Sequence, residues 1–169
     1  MALESHDRIR YTGHTPGVIG TVTECHAVYY HEQWGFDRSF ETQVAREMAE
    51  FMDRYHPEGD GLWIAWNGEV FAGSVAVDGL LAGTEGGRLR WFIVPPPFQG
   101  RGIGAALLDR ALSFCREAGH DRLFLWTFHG LAAARTLYER AGFQLTHETE
   151  GKPWGRPILE QRFDLWLTS

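Results

Sequence analysis

The feature that most restricts the fold of this 169-residue chain is the stretch from Leu89 to Ala105. An apolar run, Leu89-Arg90-Trp91-Phe92-Ile93-Val94, meets Pro95-Pro96-Pro97, and Gln99-Gly100-Arg101-Gly102-Ile103-Gly104-Ala105 then opens a segment with apolar residues at helical spacing. Three successive prolines carry no backbone N–H, so a strand must stop at Val94. Glycines let the backbone turn tightly and approach a ligand, and the free N–H groups of a helix start point at an anion with the dipole behind them. The arrangement predicts a phosphate- or pyrophosphate-binding loop between a strand and a helix, with Arg101 able to add one charge. Read alone, Gly100 and Gly102 also fit a plain tight turn. Glycine is in surplus generally, roughly 12% against an average of about 7%, and 11 of the 20 lie between Gly59 and Gly104.

Spacing removes two common phosphate loops. The nucleoside-triphosphate loop ends in Gly-Lys-Ser/Thr, whereas Gly104 is followed by Ala105-Ala106. A dinucleotide fold needs an acid at the end of the next strand and a doubly wound sheet; here the next strand ends Trp126-Thr127, and too few helices are available.

Charge and composition narrow the partners. With 16 Lys+Arg against 22 Asp+Glu the net charge is −6, so a nucleic-acid backbone is repelled and a cationic or neutral small partner is expected. No stretch approaches 18 uninterrupted apolar residues and Met1 to Tyr11 is polar, which predicts a cytoplasmic protein without a membrane partner. Cys25 and Cys115 form no Cys-x-x-Cys pair, and after His31-Glu32 the second histidine of a metalloprotease motif is replaced by Gly35. No metal site is expected, and the two cysteines read as small hydrophobes rather than nucleophiles.

Residues 1–16 are polar and unpatterned and read as a loose N-terminus, with a single domain over 17–169. Val18-Ile19-Gly20-Thr21-Val22 reads as a first strand. Two helical stretches follow, parted at Gly35; the second carries Phe40, Val44, Met48, Phe51, Met52 and Tyr55 at spacings of three and four. Leu62–Trp66 and Val70–Val77 form a hairpin around Asn67-Gly68, expected as a type I′ turn. Leu89–Val94, the helix Gly102–Glu117 and the apolar strand Leu123–Trp126 make one βαβ unit, hence a parallel pair. A helix over Leu131–Arg140 and a closing hairpin, Phe143–His147 with Ile158–Leu167, complete an α+β (mixed α/β) fold. Its sheet is expected to be twisted, mostly antiparallel with one parallel pair, and flanked by helices.

From Leu89 to Phe143 the chain resembles the Gcn5-related N-acetyltransferase (GNAT) superfamily. The likeness rests on a strand ending in Val-x-Pro, on Gln-Gly-Arg-Gly-Ile-Gly opening a helix, and on Ala134-Arg135-Thr136-Leu137-Tyr138-Glu139-Arg140-Ala141-Gly142-Phe143 after the next strand. His26–Tyr30 and Trp34-Gly35-Phe36-Asp37 look like the first helix of acetyltransferase domains that in some proteins follow a MarR-type DNA-binding domain.

The resemblance implies acetyl-CoA as co-substrate and a primary amine of a small molecule or peptide as acceptor, joined by direct attack in a ternary complex. On that reading the cofactor lies on Ile93, Val94, Gln99, Gly100, Arg101, Gly102, Ile103, Gly104 and Ala105, with the Val94 N–H placed like the family's donor to the thioester or pantetheine. Tyr138 matches the tyrosine that protonates the leaving thiolate, although it also fits a core aromatic. For the general base the candidates are Glu24, His26, His31, Glu32 and His129; His26 has the best position, since the first helix lies beside the acceptor pocket in the family. Tyr30 and Trp34, four apart, line that pocket or the core. Trp154, between glycine and proline on a loop, is a wall of the acceptor site, a contact of a homodimer, or a plain packing residue. Where relatives carry an asparagine after the fifth strand, this chain has Thr127-Phe128-His129-Gly130, and no asparagine role is carried over. The alternative to an enzyme is an acyl-CoA-binding sensor without turnover.

Overall fold

The computed structural model describes residues 8 to 167. Its strands are β1 (Ile9–Thr12), β2 (Gly61–Asn67), β3 (Val70–Asp78), β4 (Gly87–Ile93), β5 (Arg122–Phe128), β6 (Gln144–Gly151) and β7 (Ile158–Trp166); its helices are α1 (Val18–Trp34), α2 (Arg38–Asp53), α3 (Ile103–Ala118) and α4 (Ala132–Ala141). One sheet runs β1-β2-β3-β4-β5-β7-β6. Every neighbouring pair is antiparallel except β4 and β5, the βαβ unit expected from the sequence.

Two cores sit on opposite faces of this sheet. On one, Leu107, Leu108, Ala111, Leu112 and Cys115 of α3 pack with Val75, Val77, Leu89, Leu123, Leu125 and Tyr138. On the other, Val18 and Val22 of α1 and Phe40, Val44, Met48 and Phe51 of α2 pack with Leu62, Ile64, Ala76, Trp91 and Phe128. These are the apolar stripes at helical spacing, each with a sheet face to cover.

Three expectations need correction. Val18–Val22 is the first turn of α1 and not a strand: Gly17, at φ 94°, opens the helix, and its carbonyl accepts the Thr21 N–H. Val18, Val22 and His26 then recur every fourth residue on the buried side, a period that the β-branched run alone conceals. Part of the expected loose N-terminus is ordered, because Ile9–Thr12 pairs with Ile64–Asn67 and the Trp66 indole N–H donates to Thr12 Oγ1 at 2.8 Å; residues 1–7 lie outside the described part. The β2–β3 turn centres on Gly68-Glu69, since Asn67 pairs with Val70, and of the two only Gly68 has positive φ. That is the II′ pattern rather than I′.

Candidate functional site

The site begins where the sheet comes apart. β4 and β5 pair only at Gly87–Leu123, Arg88–Phe124 and Leu89–Leu125; beyond these the strands diverge, and their facing backbone groups lack a ladder partner. Trp91 has φ 45°, a left-handed conformation that costs a bulky residue about 1–2 kcal/mol. There the β3–β4 register slips between Ser74 and Ala76, and the Ser74 hydroxyl donates to the Trp91 carbonyl at 2.7 Å. The resulting bulge turns the Trp91 ring onto the α2 face, 5.4 Å from Phe51, whereas Leu89 two residues earlier packs on the α3 face.

On the α3 side of the split lies the glycine loop. After β4 the prolines form a single 3-10 turn, Pro96–Phe98, and the Gln99 side-chain amide donates to the Val94 carbonyl at 2.9 Å, closing the loop on itself. Gly100 and Gly102 have φ of 76° and 79°, and a Cβ at either would meet no atom within 4 Å, so these glycines are required by conformation and their outer side is open. The first N–H of this segment to find a helical carbonyl is that of Ala106, on Gly102. The N–H groups of Gly102, Ile103, Gly104 and Ala105 therefore lack a backbone acceptor, and this set of donors on open glycine backbone fits a pyrophosphate. Ile103 is a core residue. Gly104 serves packing too, since a Cβ there would lie 3.2 Å from Leu137 Cδ1 of α4 and 3.7 Å from the Phe92 ring of β4. Arg101 lies 5.5 Å from the Phe98 ring centre.

The other side of the split opens into a cleft of about 410 Å³. Its walls are His26 and Tyr30 of α1, Phe40, Gln43 and Glu47 of α2, and Trp154 of the β6–β7 loop; its floor is the sheet from Arg88 to Phe92 and from Leu125 to Phe128; Tyr138 of α4 reaches it through the gap. The two halves meet at Phe92, whose ring is 6.0 Å from that of Tyr138. The β6–β7 loop is fastened over the α1–α2 turn: Trp154 Nε1 donates to Gln43 Oε1 at 2.8 Å, and its ring lies 4.9 Å from Phe36 and 5.0 Å from Phe40.

Electrostatics set what these groups can do. Burial holds the Tyr138 phenol well above its ordinary value, and the same is true of Tyr30, to which the neighbouring Tyr138 adds; both stay protonated at neutral pH. Burial pushes His26 down to about 4 against the helix-borne Val22 carbonyl, which works the other way. His26 Nδ1 lies 2.8 Å from that carbonyl, so Nδ1 carries the proton and Nε2 the lone pair. Burial raises Cys25 to about 11 and Cys115 to about 12, which disfavours either thiolate as a nucleophile.

The structure thus brings Tyr138, His26 and Tyr30 to one cleft. Trp34 stands outside its lining, edge-on to Phe128 at 4.8 Å and over Gly130, where a Cβ would collide with its ring. Of the other basic candidates, Glu24, His31, Glu32 and His129 do not line the cleft; His31 Nδ1 is held 2.9 Å from the Phe36 carbonyl. Thr127 and Phe128 do line it. Sequence reading missed Glu47, Arg88, Arg90 and Glu160. Glu47 and Arg90 pair at 2.5 Å, and Arg90 also reaches Asp78 at 3.1 Å. The alternation of Arg88 and Arg90 about Leu89 on β4 was the available signal, since it places charges on one face of a central strand. Among the described residues no group of three or more His, Cys, Asp or Glu is arranged to hold a metal ion, and no helix is long and apolar enough to cross a membrane.

The same architecture is found among solved structures. The fold superimposes on yncA of Salmonella typhimurium, solved with its cofactor acetyl-CoA, at a TM-score of 0.75, with 18% identity and 95% of each chain covered. It superimposes equally on an acetyltransferase of Streptococcus agalactiae at 0.73, with 18% identity, covering 94% of this chain and 97% of that one. In sequence, 50 residues are 52% identical to a mycothiol acetyltransferase of Beutenbergia cavernae, covering 30% of this chain and 17% of the relative. A span of 104 residues is 33% identical to N-acetyltransferase 8B of Rattus norvegicus, covering 59% of this chain and 47% of the relative. The chain spans less than half the length of either. Residues 24–143 match the acetyltransferase (GNAT) family; this match runs from within α1 to just past α4, says nothing of fusion to a MarR-type regulator, and places the chain in that family.

Proposed function

We propose that the protein transfers an acetyl group from acetyl-CoA to a primary amine of a small molecule or peptide by direct attack in a ternary complex. The observation that carries this reading is the junction of two halves at the β4–β5 split: an anion-binding loop on one side, a cleft with a buried, protonated Tyr138 on the other. When bound, acetyl-CoA supplies a thioester whose carbonyl carbon takes the amine and whose sulfur leaves.

The chain's own residues divide the work. N–H groups from Gly100 to Ala105 hold the pyrophosphate, and the backbone at Ile93 and Val94, which has no ladder partner on the β5 side, receives the arm that follows it. The Tyr138 hydroxyl gives its proton to the departing thiolate; burial keeps that proton in place until sulfur bears charge. His26, neutral far below pH 7, presents Nε2 as a hydrogen-bond acceptor but is too weak a base to hold an ammonium proton, whose ordinary pKa lies about six units higher. Glu160, a cleft carboxylate next to Phe128 in register, offers the negative charge that draws the acceptor amine to this end of the cleft, and the proton the amine loses passes to water. Tyr30 and Trp154 form the aromatic wall against which the acceptor lies, and Trp34 supports that wall from behind.

The test is an acceptor screen with thiol detection. Release of CoA only in the presence of an amine is the expected result; tight acetyl-CoA binding with no acceptor-dependent release would replace this reading with that of an acyl-CoA sensor.

A further inference from the structure

Five arginines, Arg54, Arg88, Arg90, Arg122 and Arg162, gather around the sheet face beneath the cleft. Four are neutralised by contact. Arg54 and Arg90 share Asp78, and Arg90 also takes Glu47; Arg122 binds Asp164, and Arg162 binds Asp164 and Glu85. Arg88 has no carboxylate in contact, and its Nε is the buried side-chain polar atom, among the described residues, left without a hydrogen-bond partner. It lines the cleft.

Arg88 is half-buried, and a guanidinium so placed with no counter-charge in contact is costly unless an anion arrives to pair with it. Its two Nη groups can grip a carboxylate end-on by two parallel hydrogen bonds. The carboxylates that act on Arg88 from a distance do not offset its burial. Burial lowers Arg88 to about 10, and the repulsion of Arg90 adds to that against the pull of Glu47, Asp78 and Glu85.

Resting on the acetyl-transfer reading, we infer that Arg88 is the anion-recognising residue of the acceptor site and that the acceptor amine carries a carboxylate. Register fixes where that carboxylate lies relative to the amine. Arg88 pairs with Phe124 at the closed end of the split, while Glu160 pairs with Phe128, four residues along β5. Four strand residues span about 13 Å, and the reach of the two long side chains shortens the gap. The acceptor is therefore elongated, with its amine near Glu160 and Tyr138 and its carboxylate several bonds away at Arg88. An ω-amino carboxylate or a short peptide has this form; a simple α-amino acid does not. The charge of the site is thus the reverse of what the chain's net charge of −6 alone suggests for its partner.

The experiment compares kcat/KM for matched pairs, 6-aminohexanoate against hexylamine and an extended tripeptide against its C-terminal amide. The carboxylate member is expected to be preferred by roughly 10–100-fold, the scale of a charge-assisted bidentate contact. Arg88→Met should collapse that ratio towards one through KM, and Arg88→Lys should restore part of it. Arg88→Met should also melt no lower than the unmodified protein, because it removes a half-buried charge that has no partner in contact. If no amine is turned over, the acetyl-transfer reading fails, and the inference is then read by quenching of the cleft tryptophans on titration with 6-aminohexanoate in each variant. Equal use or binding of the two members of each pair, a ratio untouched by Arg88→Met, or a lower melting temperature for that variant would overturn the assignment.

Discussion

Tyr138 and His26 occupy one cleft, and burial acts on both in the direction that favours the uncharged form. For Tyr138 this keeps the phenol protonated at neutral pH, the form that the proposed transfer to the leaving sulfur requires. Tyr138→Phe keeps the ring contacts with Phe92, Phe143 and Phe163 and removes only the hydroxyl. It is expected to lower kcat by about 100-fold or more while the KM for acetyl-CoA stays within a few-fold; steady-state kinetics with thiol detection separates these. A change confined to melting temperature would make Tyr138 a core aromatic only. For His26 the consequence is pH-dependent stability. Its folded value near 4 lies below the ordinary 6.5, so the unfolded chain binds the extra proton between these limits. Stability is full above about pH 6.5 and is lost as pH falls towards 4, by about 3 kcal/mol in total. Urea unfolding at pH 7 and at pH 4.5 should show this slope, and His26→Gln should flatten it.

At the scale of elements, the glycine loop and the helix it opens can be tested against a control within the same helix. Gly102 at the start of α3 and Gly119 at its end have nearly the same φ, 79° and 80°, and a Cβ at either would meet nothing within 4 Å. Alanine at each position therefore carries a similar conformational strain, about 1–2 kcal/mol. Only Gly102 flanks the unpaired N–H groups. Gly102→Ala should weaken acetyl-CoA binding by about tenfold or more in a calorimetric titration, whereas Gly119→Ala should lower the melting temperature comparably and leave affinity unchanged. This loop was legible because prolines, glycines and an amphipathic stretch are local signals with single physical meanings. The βαβ unit, α2 and the closing hairpin were legible for the same reason. What escaped was non-local. The helical period of α1 was hidden behind Val18-Ile19 and Gly20, β1 is held by an edge pairing with β2, and the bulge at Trp91 depends on Ser74 of the neighbouring strand. Among the site residues, Tyr138 and the loop stood out by motif. Glu47, Arg88 and Glu160 did not, because a charged residue in a strand declares itself only when the opposite wall of the cleft is in place. Trp34 shares a helical face with Tyr30, yet one turn further along it packs on Phe128 and Gly130 instead of lining the cleft.

Over the whole molecule, the cleft exists because α2 is held at a fixed height above a sheet that is split on the same side. Asp78 at the end of β3 is the tie. It accepts from Arg54 beyond α2 at 2.9 and 2.6 Å, from Arg90 of β4 at 3.1 Å and from the Leu80 N–H at 3.0 Å, and Arg90 continues to Glu47 of α2 at 2.5 Å. Burial alone would raise the Asp78 carboxyl, but these donors outweigh it and hold it below its ordinary value. A depressed carboxyl stabilises the fold above the unfolded value near 4 and ceases to do so as pH falls through the folded one, below the window in which His26 acts. Acid unfolding should therefore have two separable contributions, with His26→Gln altering the upper and Asp78→Asn the lower. Asp78→Asn leaves two guanidiniums short of a buried partner, at a cost of about 3 kcal/mol, and frees Arg90 to move with Glu47 in the cleft wall. It should raise the KM for the acceptor more than that for acetyl-CoA, because the glycine loop lies on the far side of the sheet from the tie. Equal effects on the two KM values, measured at pH 7 where the fold is intact, would mean that the two sides of the split move together and that Asp78 supports the sheet as a whole.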